Sequence, residues 1–403
     1  MHFTPTYLDV GFDEMVLCEQ DGPGRYDDDY HRWLRAQELV DGIDLMDQVK
    51  EFRDQAPAAY WKQFGAAVSD LDEQHHSTTW IGEKAVETIQ GWENDGNLLM
   101  VGFVKPHHPF DPPTPWNTLY NPEELSLLPG WTETLHEQDE KFHQGYFDNN
   151  EIEPDRLRQV MAHYYGSISQ IDFQVGKMLD LLRKKGLYDD ALILYTSDHG
   201  EYMGFRHLLL KGGYLYDPLA KVPLIVKYPK NARHNEICKA LVSTVDLAPT
   251  ILSLAGCDPN GFMPGIDLTK SGLSREMIFS EDRNHFMVRT QNRKLLYNHE
   301  PSMCQFFNLE KDPLETENVY THPDYQMEIS GFIKALGDWM LFEAKTPIYM
   351  DLSAPVVGKN PIQDLEEDHE ETTKTYYRKR MKQFIIRGAS KEIKAFQEII
   401  KGD

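Results

Sequence analysis

Apolar residues fall into three kinds of pattern along this chain, and each predicts a different element. Ala191 to Tyr195 and Val222 to Val226 are short, nearly unbroken apolar runs, the pattern of strands buried on both faces. A third such strand is expected at Leu98 to Val104, after the turn Asn94-Asp-Gly-Asn. Between them, Leu157, Met161, Tyr164, Ile168, Ile171, Val175, Leu179 and Leu182 recur at spacings of three or four. That stripe predicts one long helix from Pro154 to about Lys185, with proline in its first turn and Gly186 at its end. Ile81, Ala85 and Ile89 predict a second helix, capped by Ser77 and running to about Trp92. A third helix, with Pro249 in an early turn, has Asp246 as its expected cap. Residues 31 to 70 read as mixed helix broken at Pro57.

From about residue 272 the period shortens. Met277-Ile-Phe-Ser-Glu, Phe286-Met-Val-Arg-Thr, Lys294-Leu-Leu-Tyr and Gln305-Phe-Phe-Asn-Leu are strand-like runs with turn residues between them. They predict a small antiparallel sheet closed by a helix near Glu328 to Phe342. Residues 343 to 370, with Pro347, Pro355, Pro361 and an acidic run, read as a linker or strap. The tail from Thr375 to Ile400 carries Ile386, Ile393, Phe396 and Ile400 on an amphipathic helix that either docks on the chain or meets a partner helix.

Charge narrows the partners. The 403 residues hold 41 basic and 65 acidic side chains, a formal net charge of −24. Such a surface argues against nucleic acid or an anionic membrane as a general partner. An anionic substrate would need local positive groups. Cys18, Cys238, Cys257 and Cys304 are widely spaced and form no CxxC pair, which fits a reducing, cytoplasmic setting. No apolar run of about eighteen residues is present, so no membrane span is expected.

Candidate chemistry clusters where apolar runs end. In open α/β sheets ligands bind beyond the carboxyl ends of strands. Ser197-Asp198-His199-Gly200-Glu201 follows the first run, with His207 and Lys211 in the loop after it. Lys105-Pro-His-His-Pro-Phe-Asp-Pro-Pro follows Val104, and its prolines fix the direction of His107 and His108.

These segments resemble the sulfatase branch of the alkaline phosphatase superfamily. Ser-Asp-His-Gly-Glu with a later His and Lys, Val222-Pro-Leu-Ile-Val, and Pro106-His-His-Pro-Phe match family motifs. So do His2-Phe3, Gly11-Phe-Asp, Asp28-Asp-Tyr and Trp33-Leu. The segment Leu241-Val-Ser-Thr-Val-Asp-Leu-Ala-Pro-Thr and the Asn308-Leu-Glu-Lys-Asp-Pro-Leu-Glu-Thr-Glu-Asn signature match as well. The resemblance implies that Asp198 and His199 bind a divalent metal, calcium first, with manganese and magnesium as alternatives. It implies that Lys211 and His107 hold the ester's sulfate oxygens, that His207 is near the substrate, and that His2 lies near the nucleophile. That nucleophile is a formylglycine made from the Cys or Ser of a Cys/Ser-x-Pro-x-Arg motif. This sequence has no such motif: Cys257-Asp-Pro-Asn-Gly and Ser353-Ala-Pro-Val-Val lack the arginine.

The expected fold is therefore a three-layer, alkaline-phosphatase-like α/β architecture, a mixed sheet flanked by helices, with a small C-terminal α+β subdomain. The expected division is an N-terminally truncated catalytic domain over 1–271, the antiparallel subdomain over 272–345, and an acidic linker with a helical tail over 346–403. The expected activity is metal-dependent hydrolysis of a small-molecule or carbohydrate sulfate ester, impaired without the nucleophile segment. Phosphonate or phosphate monoester hydrolysis is the alternative within the superfamily. A catalytically inactive remnant or binding protein is the alternative outside enzymology.

Overall fold

The computed structural model of the chain describes residues 7, 10–20, 24–93, 96–139, 147–258, 263–270, 272–273, 275–343 and 367–387. His2, the Asn94-Asp95 turn, most of the 343–370 strap and the tail beyond residue 387 lie outside them. The chain divides into two compact units. One comprises Met1–Ser126, Glu153–Lys185 and Met350–Asp403, the other Leu127–Ile152 and Gly186–Tyr349.

The first unit is helical. It opens with α1 (Gly24–Asp27), α2 (Asp29–Ala36), α3 (Gly42–Gln48), α4 (Lys50–Arg53) and α5 (Ala58–Lys62). Longer helices follow, α6 (Ser77–Gly91) and α7 (Pro154–Lys184). Asp28 caps α2, accepting the His31 backbone N–H and the His31 Nδ1–H, both at 2.7 Å. Pro57 breaks the run before α5, as its fixed φ and missing N–H require. The cap of α6 is His76, whose Nδ1 accepts the Thr78 N–H at 3.3 Å, so the expectation for Ser77 was one residue late. Helix α7 runs as its stripe predicts and buries Leu157, Met161, Ile171, Met178 and Leu182. Gly166 lets it approach the turn at Trp116: a β-carbon there would sit 2.4 Å from the Trp116 carbonyl oxygen. Leu98 to Val104 forms no strand among the described residues, contrary to its apolar pattern, and Leu98 and Met100 are exposed.

After the segment Leu127–Ile152, the second unit continues with β1 (Ile193–Thr196), α8 (Asp217–Ala220) and β2 (Leu224–Lys227). Strands β1 and β2 pair antiparallel, Leu194 opposite Val226. Their burial corrects the sequence expectation: Tyr195 and Ile225 are exposed, because among the described residues the ladder has two strands and leaves faces open. Helix α9 (Leu247–Leu254) follows. Asp246 does not cap it by its side chain. That carboxylate accepts the Ser243 and Ile266 N–H groups and binds Arg275 through both oxygens at 2.7 Å.

The four predicted strands form one antiparallel sheet in chain order: β3 (Ile278–Asp282), β4 (His285–Arg289), β5 (Arg293–Asn298) and β6 (Gln305–Asn308). Alternation of side chains gives it two faces. Val288, Leu295 and Phe306 pack against Ile329, Phe332 and Leu336 of α10 (Gln326–Asp338). Met287, Leu296 and Phe307 pack against Tyr202, Phe205, Leu208, Tyr214 and Tyr216 of the preceding loop. Each such apolar side chain contributes roughly 1.5–3 kcal/mol when fully buried.

The last described helix, α11 (Glu367–Arg387), belongs to the first unit. It docks Tyr377 and Met381 among Ile43, Leu45, Met46, Phe52 and Tyr60. The docked-helix expectation holds over this span with different anchors from those expected, since Ile393, Phe396 and Ile400 lie outside the described residues and nothing is described of the Ile386 side chain.

Candidate functional site

Within the second unit, the turn leaving β1 brings together three of the residues singled out from the sequence. The Asp198 carboxylate accepts the His199 N–H at 2.9 Å, and Ser197 Oγ donates to the His199 carbonyl at 2.7 Å. His199 Nδ1 donates to the Gly200 carbonyl at 2.8 Å, which fixes the tautomer and leaves Nε2 as the acceptor. The Lys211 ammonium takes that position, with Nζ 2.8 Å from His199 Nε2. Asp198 Oδ2 lies 3.7 Å from the same nitrogen. Burial pushes the Lys211 pKa down, while Asp198, Glu201 and Asp282 oppose the shift.

Backbone packing makes this turn possible. Gly200 donates its N–H to the Leu219 carbonyl, and a β-carbon at Gly200 would stand 1.9 Å from the Pro218 carbonyl oxygen. No other residue fits against α8 there without moving it. Glu201 accepts the Met203 N–H at 3.3 Å, and burial raises its pKa to about 7 against those backbone donors.

His207 goes elsewhere. It is buried, its Nδ1 donates to the Thr132 carbonyl at 2.8 Å, and its ring lies 4.8 Å from Trp131. These contacts pack it into the loop.

His107 sits in the first unit. Its Nδ1 donates to the His108 carbonyl at 2.7 Å, and the two rings stack at 4.4 Å. His108 is buried and bonded to Asp47 Oδ1 at 2.8 Å, while Gln48 and Gln20 donate to its carbonyl. Asp47 also accepts the Tyr60 hydroxyl. Sequence reasoning missed Asp47, Gln48 and Gln20, which lie on or beside a short helix with no motif of its own.

Asp198 and His199 are a hard anionic donor and an imidazole side by side, with Asp198 largely exposed. That chemistry suits a divalent cation. The set is incomplete: no group of three or more His, Cys, Asp or Glu placed to hold an ion occurs among the described residues. No helix among them is long and apolar enough to cross a membrane.

A strand-end turn carrying Asp-His beside a lysine, on an α/β scaffold with an antiparallel C-terminal sheet, fits the alkaline-phosphatase-like hydrolase class. The structure superposes on a phosphonate monoester hydrolase of Agrobacterium radiobacter with a TM-score of 0.63 at 21% identity, over 77% of this chain and 68% of the other. A phosphonate monoester hydrolase of Silicibacter pomeroyi gives 0.60 at 20% identity, over 73% and 67%. The sulfatase family model matches residues 12–257, and the chain belongs to the sulfatase family, whose members are hydrolases. An arylsulfatase of Clostridium perfringens is 28% identical over 334 residues, 77% of this chain and 65% of that protein. A choline-sulfatase of Rhizobium meliloti is 28% identical over 284 residues, 64% of this chain and 54% of that protein. The chain thus spans 65% or less of the length of these two relatives.

Proposed function

We propose that the chain recognises and acts on sulfate monoesters, with Lys211 as the cation that meets the sulfate group. The observation that carries this reading is the contact of Lys211 with His199 at the end of β1. Transfer of a sulfuryl group gathers negative charge on its oxygens, and a fixed ammonium lowers that barrier. The Lys211 ammonium would exchange its bond to His199 for bonds to the ester's oxygens, and the neutral imidazole would remain oriented by the Gly200 carbonyl. Asp198 and His199 would hold a divalent cation, calcium ahead of manganese or magnesium, which when bound supplies positive charge beside the transferring group.

Turnover by this 403-residue chain is impaired in this reading, because no Cys or Ser of its sequence sits in a Cys/Ser-x-Pro-x-Arg motif. The expected result is measurable binding of inorganic sulfate by calorimetry and no detectable release of nitrophenol from 4-nitrophenyl sulfate. Lys211→Ala should weaken sulfate binding about ten- to a hundredfold, the loss of one charge-assisted hydrogen bond. Equal sulfate affinity in Lys211→Ala would sink the assignment. Tenfold tighter binding of phenylphosphonate than of sulfate would move the substrate to phosphonate or phosphate monoesters.

A further inference from the structure

The loop that carries Lys211 has a backbone that could not hold its shape unaided. Met203, Arg206, His207 and Leu210 all adopt positive φ, between 46° and 66°. Non-glycine residues in that region cost of order 1 kcal/mol each and persist only where surroundings over-determine them. Those surroundings are the loop-facing side of the four-stranded sheet.

Strand register puts three polar side chains on that face. Arg289 is paired with Lys294, and Leu296 with Gln305, so Arg289, Lys294 and Gln305 share the side of Met287, Leu296 and Phe307. Asp217, which follows the loop, receives Arg289 Nε at 3.1 Å, Arg289 Nη2 at 2.9 Å and Lys294 Nζ at 2.8 Å. Its backbone N–H donates to Glu315 Oε2 at 2.7 Å, and Glu315 pairs with the same Lys294 at 2.6 Å. Burial works to raise the Asp217 pKa, but Lys294 and Arg289 outweigh it and hold it below the usual carboxylate range. Tyr216 donates to Asp139 at 2.7 Å and accepts from Gln305 at 2.8 Å. The other end of the loop is tied to the same frame: Arg206 Nε donates to Asp139 at 2.7 Å and Nη1 to the Glu315 carbonyl at 2.8 Å.

We propose that Asp217 is a positioning residue, clamped by Arg289 and Lys294 of the sheet so that the strained loop between Arg206 and Asp217 presents Lys211 to the anion. The C-terminal sheet then sets the affinity of a site to which it contributes no contacting group. This rests on the reading of Lys211 as the sulfate-binding cation.

The test combines backbone hydrogen exchange with calorimetric binding of inorganic sulfate in Asp217→Asn, Asp217→Glu and Arg289→Gln. Asp217→Asn should speed exchange across residues 203–216 at least tenfold while leaving α10 unchanged, and should weaken sulfate binding at least tenfold. Asp217→Glu, which keeps the charge, should recover most of both. Arg289→Gln, which leaves the Lys294 pair in place, should give smaller shifts in the same direction. Unchanged loop exchange in Asp217→Asn, or exchange that rises equally in α10, overturns the clamp. A loosened loop with unaltered sulfate affinity overturns its link to the site. If the parent chain binds no sulfate, it is the functional reading of Lys211 that falls, and the exchange data still judge the clamp.

Discussion

Arg206→Ala should cost about 3–5 kcal/mol of stability, the range for breaking a buried ion pair by removing one partner. The guanidinium is buried, bonded to Asp139, held by the Glu315 carbonyl and placed 4.9 Å over the Tyr216 ring. Burial alone would lower its pKa, but Tyr216, Asp139 and Glu315 reverse the shift. Without it, the buried Asp139 carboxylate keeps the Tyr216 hydroxyl as a donor and loses its counter-charge. Chemical denaturation followed by fluorescence checks the figure, and a loss under 1 kcal/mol would mean that Asp139 is rehydrated at little cost. Arg206→Lys should recover only part, because a lysine cannot reach Asp139 and the Glu315 carbonyl together.

A comparable loss is expected in the first unit for Lys105→Ala. Lys105 is buried, 2.5 Å from Asp111 and bonded to the Pro109 carbonyl at 2.9 Å. Burial works to lower its pKa, yet Asp111, Asp44 and Asp41 raise it. Around it, burial lifts Asp41, Asp70 and Asp111 to about 7, Asp44 adding to the rise at Asp41 and Asp41 to that at Asp70. These carboxyls bind more protons folded than unfolded between about pH 4 and 7, so they contribute stability that is lost as pH rises through 7. His76, lowered to about 3 by burial, and His163, also lowered, act the other way below about pH 6.5. The melting temperature should therefore rise from pH 8 to about 6.5 and more gently from there to about pH 4, because the carboxyls, Glu201 among them, outnumber the two histidines. Lys105→Ala should unfold several degrees lower and show a steeper slope, because its carboxyls have lost their cation. A parent protein whose melting point falls on going from pH 8 to 6.5 would contradict this account.

How much could be read from the sequence depended on whether the cause was local. The α7 stripe and the alternation in β4 to β6 are local patterns with one physical solution each, and both elements formed as expected. Asp198 and His199 stood out by their position after an apolar run and Lys211 by its match to a family motif, and the structure places the three side chains together. Burial of β1 was overestimated because an apolar run does not state how many strands will cover it. The helix caps failed for a subtler reason. Ser77 and Asp246 have the right chemistry, but His76 reaches the first turn of α6, and Asp246 is drawn to Arg275 and the Ile266 N–H. The clamp on Asp217 was illegible because its partners lie 72 and 77 residues further on. In the sequence, Lys294 is simply a charge at the start of an apolar strand.

The docking of α11 beside α3 also bears on how the protein is made. A chain leaves the ribosome from its first residue to its last, and domains tend to fold as they emerge. The cluster around Ile43, Leu45 and Met46 takes Tyr377 and Met381 from the far end of the sequence. Until those residues are synthesised, this cluster presents apolar surface to solvent or to whatever chaperone shields it. The second unit draws on residues 127–152 and 186–349 and can close earlier. The order of completion is therefore the reverse of the order of synthesis for these two parts: the helices around Ile43, translated before the second unit, are sealed after it.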